Sequence, residues 1–405
     1  MILQNNVPRL RFKDENGNNY PDWKNFLLKT IAIKTTNKNK DNEYDLVLTN
    51  SARFGIINQI DFFDRNIVNK SNLKGYRVVK VDDFVYNPRI SSNAPVGPIN
   101  RNKLNIGIVS PLYFVFRFKK GSKKFFEIYY QSTHWHIYMK SVANYGARSD
   151  RLNISKNNFL LMPIPFPSID EQQKIASFLS SVDSKIEKLT RKKELLEEYK
   201  KGVMQKLFSQ EIRFKDDDGN DYPDWADKRL GDIFIFKQGV QCSLNNQFSE
   251  KSDGLVRFIR IVDLTKNNKP VRYINDPGTN HHLVKNDIFM VRYGSAGMVA
   301  IGFEGVIANN LFRLIPKKPD TTHNNFYFYL LKRMQSKLEA LTSSTTMSAL
   351  NFSSLKQFRL FMPSLSEQHK IADFLTSIDT KIEPVASQID KTKNFKKGLL
   401  QRMFV

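Results

Sequence analysis

PSIDEQQKIASFLSSVDSKIEKLTRKKELLEEYKKGVMQKLF, residues 167–208, returns as PSLSEQHKIADFLTSIDTKIEPVASQIDKTKNFKKGLLQRMF, residues 363–404. The copies run 196 residues apart without a gap, so that Glu171 matches Glu367, Ile175 matches Ile371, Asp183 matches Asp379 and Gly202 matches Gly398. Agreement in register over this length is a duplication, not shared composition. Each copy opens with a Ser-x-x-Glu capping box, Ser168 with Glu171 and Ser364 with Glu367, which satisfies the orphan N–H groups of a helix start.

Apolar residues then recur at steps of three and four. They are Ile175, Leu179, Val182, Ile186, Leu189, Leu196 and Val203 in the first copy, and Ile371, Leu375, Ile378, Ile382, Val385, Ile389, Leu399 and Met403 in the second. A seam this narrow, sustained over about 60 Å of helix at 1.5 Å per residue, favours two helices paired with each other over two helices lying on separate cores. Lys193, Thr392 and Lys396 interrupt the seam, and Pro384 is expected to kink or locally break the second helix.

A second repeat lies outside the helices. RFKDENGNNYPDW, residues 11–23, recurs as RFKDDDGNDYPDW, residues 213–225, with ten of thirteen positions identical. The Asn-Gly, Asp-Gly and Pro-Asp pairs mark turn-rich connections, with Phe and Trp as anchors to a core. The second copy follows the first helix directly, whereas the first stands at the beginning of the chain. If the last helix ends beside the N-terminus, Met403 and Phe404 precede Arg11 in space as Leu207 and Phe208 precede Arg213.

The intervening regions contain β-like runs: DLVLT, YRVVKVDDFVYN, GIVSPLYFVFRF and FFEIYY in the first, VRFIRIVDL, DIFMVRY, MVAIGF and FRLIP in the second. Weak correspondences persist inside them, residues 83–91 with 287–295 and 152–155 with 350–353. The expected fold is α+β: two mostly β domains alternating with two long helices that pair as an antiparallel coiled coil, an internal pseudo-twofold repeat. The expected segments are a connection (1–23), a first domain (24–157), a central helix (158–210), a connection (211–225), a second domain (226–355) and a distal helix (356–405).

The 405 residues carry a formal charge of +23. Residues 168–209 and 364–405 contribute only +4 of it, which leaves +19 in the rest of the chain, where a polyanion is expected to bind. The sequence has no run of eighteen apolar residues and no signal-peptide core, so a cytoplasmic protein without membrane association is expected. Cys242 is the only cysteine, which excludes an internal disulfide and a paired-cysteine zinc site.

The sequence contains no Gly-x-Gly-x-x-Gly, Walker-type loop, Gly-x-Ser-x-Gly or His-Glu-x-x-His. Asn87-Pro88-Arg89 is a partial echo of an amine-methylating site and reads better as a turn. A nuclease would need more than Asp22 and Asp224 of the two Pro-Asp-Trp turns, and no Glu-x-Lys follows them on a strand. His134, His136, His281 and His282 lack supporting ligands at a telling spacing. No catalytic, cofactor or metal residue is assigned.

Polar residues do recur in loops of both domains. The candidate DNA contacts are Arg89, Ser91, Ser92, Asn93, Arg101, Lys103, Asn144, Arg148 and Arg151 in the first domain. In the second they are Lys237, Gln238, Gln241, Arg292, Tyr293, Ser295, Asn309, Asn310, Ser343, Ser344 and Thr345. Arg matches guanine bidentately, Asn and Gln match adenine, and Ser, Thr and Lys hold phosphates.

Two variable modules alternating with helices that begin PSIDEQQKIASFL and PSLSEQHKIADFL and end KKGVMQKLF and KKGLLQRMF resemble the specificity subunit (HsdS) of type I restriction-modification systems over essentially the whole chain. The resemblance implies a non-catalytic subunit with two target recognition domains. Each reads one half of a bipartite double-stranded DNA sequence, at a spacing set by the helices. It implies as partners two methyltransferase subunits that use S-adenosylmethionine to methylate adenine, and restriction subunits that use ATP to translocate and cleave DNA. S-adenosylmethionine, ATP and magnesium are thus expected on the partners, with none bound by this chain. The scaffold positions implied are Glu171, Gln172, Ile175, Glu367, Gln368 and Ile371, with Leu152, Asn153, Leu350 and Asn351 at the module exits. A free-standing DNA-binding or architectural protein is the alternative, which co-purification with a methyltransferase would reject.

Overall fold

In a computed structural model, the described residues are 7–62, 70–144, 150–266, 269–342 and 349–405. The chain forms two compact units, one of Met1–Leu189 with Ser387–Val405 and one of Thr190–Ala386. The units cut across the segments expected from sequence, because each domain is packed with part of both long helices.

The central helix spans Ile169–Phe208 and the distal helix Leu365–Arg402. Ser168 and Ser364 accept the amides of Glu171 and Glu367 at 3.3 Å each, which is half of the expected capping box. The glutamates themselves turn into the protein. Pro384 does not interrupt the distal helix, which continues to Arg402. Pro384 and Thr380, whose carbonyl loses its amide donor, are both exposed, so water can satisfy the orphaned group.

In the first unit the beginning of the central helix meets the end of the distal one. Ile175, Leu179 and Val182 share a core with Leu399, Met403 and Phe404. Lys396 bonds Asp183 and reaches Gln131 at 2.7 Å. In the second unit Ile371, Leu375 and Ile378 share a core with Met204 and Leu207, and Lys200 bonds Asp379. Each ion pair is the other's image under the 196-residue offset with the partners exchanged, and the pairing is antiparallel in each unit. Lys396 is therefore part of the seam rather than a flaw in it. Lys193 pairs with Glu197 at 2.7 Å, and the Thr392 hydroxyl donates to the Gln388 carbonyl at 2.6 Å. The helix ends also do what the separate-core reading required, since their seam residues complete the cores of the domains. Leu189 and Leu196 stay half-buried, and Val385 and Ile389 are buried.

The domains are built on one plan. In the first unit an antiparallel sheet has the order Ala32–Lys34, Phe114–Phe118, Phe84–Tyr86, Ile99–Arg101. In the second the order is Phe234–Gln238, Leu311–Pro316, Ile288–Val291, Val299–Ala300. Both domains are closed by an antiparallel pair joining the incoming and outgoing chain, Lys24–Leu27 with Pro163–Phe166 and Ala226–Arg229 with Arg359–Met362. The second unit adds a four-stranded sheet with one parallel pair, Leu255–Ile259 beside Gly305–Ile307. The first has in addition two two-stranded pieces, Leu48–Ser51 with Gly55–Asn58 and Arg77–Val79 with Gly107–Val109.

Two strand expectations fail, one of them in part: in VRFIRIVDL the strand ends at Ile259 and Ile261–Thr265 is a helix, its Asp263 accepting the Arg260 amide at 2.8 Å. FFEIYY forms the helix Lys123–Tyr129 with Tyr130 as its C-cap; Ser122 caps the amide of Phe125 and residues 125–129 are all buried. With every face apolar, periodicity cannot tell a buried helix from a strand. Phe126 stacks on Phe118 of the sheet with ring centroids 3.8 Å apart.

The repeated turn motifs lock each helix start. Glu171, fully buried, accepts Arg11 Nε at 3.0 Å and Nη2 at 2.8 Å and Trp23 Nε1 at 2.9 Å. Glu367 accepts Arg213 at 3.1 and 2.8 Å and Trp225 at 3.0 Å. A buried carboxylate is stable only when its lone pairs are filled in this way. The neighbouring glutamines are equally buried, Gln172 accepting the Ser122 amide at 2.7 Å and Gln368 the His323 amide at 2.9 Å. Asp22 and Asp224 point outward, with side chains 84% and 108% exposed. The Leu10 amide donates to the Arg402 carbonyl at 2.9 Å and Phe404 packs on Trp23. The end of the chain thus stands before Arg11, as the repeat required.

Candidate nucleic-acid interface

A buried aspartate fixes the strand that leads into each site. Asp83 accepts the Lys80 amide at 2.8 Å and pairs with Arg117 at 2.6 and 3.0 Å, which raises the Arg117 pKa chiefly through that hydrogen bond. Asp287 accepts the Val284 amide and pairs with Arg313, both at 2.8 Å. Past these anchors the strands end in the loops singled out in the sequence. Leu152 and Leu350 close the loops, donating their amides to the carbonyls of Pro88 at 2.9 Å and Arg292 at 2.8 Å. The following residues cap short helices, Ser155 the helix Lys156–Leu160 and Asn351 the helix Phe352–Lys356.

In the first unit these loops border a cleft of about 610 Å³. Arg89, Ser91, Asn93 and Arg151 line it, with Asp150 3.8 Å from Arg89 and 3.5 Å from Arg151. Ser92 is exposed on the turn between Ser91 and Ala94. Asn144 is exposed and its amide donates to the Asn153 carbonyl at 2.8 Å. Arg101 and Lys103 do not line the cleft. Both engage Glu127, Arg101 at 3.3 Å, and Arg101 is 3.7 Å from Asp82, so much of their charge is answered within the protein. Arg148 lies outside the described residues.

Sequence reasoning missed further lining residues of this cleft, Asn50, Arg53 and Gln59 around the hairpin Leu48–Ser51/Gly55–Asn58, and Tyr113. The signal was present: Ser-Ala-Arg-Phe-Gly, residues 51–55, puts an arginine in a glycine-closed turn, and Gly55 has φ +72°. The floor is an amide network in which Asn87 Nδ2 donates to the Asn50 carbonyl at 3.0 Å and the Tyr113 hydroxyl at 3.2 Å. Gly97, at φ +81°, passes so close beneath it that a Cβ would lie 2.1 Å from the Asn87 carbonyl. Tyr76 also lines the cleft, and burial raises its pKa, so it remains a phenol.

In the second unit five candidates come together. Arg292 donates to Gln238, Gln238 to the Asn309 carbonyl, and Asn309 to Gln241. The Tyr293 hydroxyl joins the Asn309 carbonyl at 3.1 Å. Gly239 allows the crossing, since a Cβ there would lie 2.3 Å from the carbonyls of Ile307 and Ala308. Asn310 accepts the Arg292 amide at 2.8 Å through its carbonyl, while its side-chain Oδ1 is buried without a partner. Lys237 turns to the Asn280 carbonyl, and Ser295 is exposed in the following turn. Ser343, Ser344 and Thr345 lie outside the described residues.

The histidines have other surroundings. His134 bonds the carbonyls of Leu400 and Gln401, and burial nevertheless lowers its pKa. His282 is 2.8 Å from Asp276. Among the described residues no group of three or more His, Cys, Asp and Glu could hold a metal ion, and no helix is long and apolar enough to cross a membrane.

A family model described as the type I restriction modification DNA specificity domain matches residues 5–198 and 222–392. The chain is 25% identical over 270 residues to the type I restriction enzyme MjaVIII specificity subunit of Methanocaldococcus jannaschii, a match spanning 61% of this chain and 62% of that protein. It is 24% identical over 346 residues to the MjaIX specificity subunit of the same organism, spanning 78% and 76%. The match thus covers less than two thirds of the MjaVIII relative's length. The fold is similar to the crystal structure of the type I restriction-modification S subunit from M. genitalium, with a TM-score of 0.63, 16% identity and coverage of 98% of this chain and 99% of that one. With both of its repeats matched, the chain belongs to the family of type I restriction modification DNA specificity domains.

Proposed function

We propose that this chain is the DNA-reading subunit of a type I restriction-modification complex, with one recognition domain for each half of a bipartite target. The observation that carries this reading is the repeated site. Two domains on one plan each gather Arg, Asn and Tyr at the ends of equivalent strands, in a chain that belongs to the specificity family. Polar groups of this kind read base edges. The +19 carried outside the helices favours the phosphate backbone as the common attractant.

In this reading the chain performs no chemistry. Methyltransferase subunits supply S-adenosylmethionine-dependent adenine methylation, and restriction subunits supply magnesium- and ATP-dependent translocation and cleavage, all in the cytoplasm. The outward-facing aspartates of the Pro-Asp-Trp turns and the structural partners of Glu171 and Glu367 agree with a scaffold rather than a nuclease centre. The test is methylome sequencing of the host with and without this gene. A bipartite methylated motif should vanish with the gene and return on complementation. Its persistence would reject the proposal.

A further inference from the structure

Arg292 and Pro88 occupy one place in the repeated frame. Each follows an equivalent strand, Ile288–Val291 or Phe84–Tyr86, and each carbonyl accepts the amide of the leucine that leads out of its domain. The backbone is the same, but one side chain is a ring without a donor and the other a guanidinium with five.

The surroundings of Arg292 differ from those of the structural arginines. Arg117, Arg213, Arg260 and Arg313 are each paired with a carboxylate. Among the described residues no carboxylate pairs with Arg292. Its guanidinium carbon instead lies 4.5 Å from the ring centroid of Phe352, and its Nη1 donates to the neutral amide of Gln238. Its Nε is buried without a hydrogen-bond partner. An amide and an aromatic face orient a guanidinium without supplying a carboxylate to neutralise it. A planar fork held in this way matches the O6 and N7 acceptors of guanine in the major groove.

We infer that Arg292 reads a guanine in the half-site of the second unit, with Gln238 and Phe352 as positioning residues. The first unit, with Pro88 in that place, has no reader there and depends on its cleft. This inference rests on the proposed DNA-reading function.

The test uses the full-length chain assembled with its methyltransferase partner, acting on a library of duplexes randomised across the target. Arg292→Lys keeps the charge but loses the fork, and Arg292→Gln loses both. Each should relax the guanine preference at one position of one half-site by about 10- to 100-fold, leaving the other half-site unchanged. Gln238→Ala should relax the same position more weakly, and it supplies the answer if the Arg292 variants fail to fold. An unchanged motif, or a uniform loss at all positions with a shallower salt dependence, as for a phosphate contact, would overturn the assignment while leaving the DNA-reading function standing. A wild-type complex that shows no bipartite preference overturns both.

Discussion

The two units agree most closely where they are buried and least where they end. Glu171 and Glu367 hold an arginine and a tryptophan with distances that differ by no more than 0.1 Å. At the strand ends the same frame carries an open cleft of about 610 Å³ in one unit and a closed chain of amides around Arg292 in the other. The contrast has a physical cause. A buried charge with three hydrogen bonds tolerates almost no substitution, whereas exposed loop residues change at little cost to stability. Duplication preserved the first kind of residue and released the second.

The sharpest way to break the equivalence is to remove the buried carboxylates. Glu171→Ala strands the Arg11 guanidinium and the Trp23 N–H and should cost the first unit about 3–5 kcal/mol. Glu367→Ala should cost the second unit a similar amount. Denaturant unfolding followed by hydrogen exchange can resolve the units. A loss at one position only would show that the two latches are not equivalent.

The helices offer a built-in difference, since Pro384 corresponds to Lys188 under the 196-residue offset. Replacing Pro384 with Ala should stabilise the second unit by about 1–3 kcal/mol, because it restores a main-chain donor and improves helix propensity. The reverse change, Lys188→Pro, should destabilise the first unit. Urea midpoints of the two variants should therefore move in opposite directions.

Acid tests the units separately. Burial pushes His136 of the first unit down to about 4, with Lys140 assisting. The unfolded chain takes up this proton below about pH 6.5, while the folded unit stays neutral to about pH 4. Stability from this group is therefore present at neutral pH, is lost as pH falls through that window and levels off below it. The loss should be about 1–2 kcal/mol once partial exposure is discounted. His136→Phe should make the acid limb of the first unit shallower, with His134, also lowered by burial, keeping the remainder, while His323 of the second unit, lowered by burial and by His369, is untouched. The smallest effect belongs to Asp22→Ala and Asp224→Ala, whose exposed side chains lie 3.7 and 3.9 Å from the nearest arginine nitrogen. Neither melting temperature nor target methylation should change measurably.

The helices were legible because a capping box and a seam are local patterns, repeated in register. Lys396 read as a seam flaw because its partner, Asp183, lies 213 residues away. The Phe-Phe-Glu-Ile-Tyr-Tyr run read as a strand because burial on every side erases the periodicity that separates strand from helix. Arg101 and Lys103 look like the other cations of the domain in sequence, but Glu127 on the helix Lys123–Tyr129 answers them in the fold. Arg53 is hidden in the sequence because only folding brings its hairpin to the cleft that Arg89 and Arg151 also line.

The sequence by itself determined the duplication, the helix starts, the alternation of modules with helices and the specificity-subunit family, since each is written in short-range spacing or in repetition. Only the tertiary structure decided which polar residues share a site, which cations are answered within the protein and where the compact units divide. Those outcomes depend on contacts between residues far apart in the chain, and spacing along a sequence carries no measure of them.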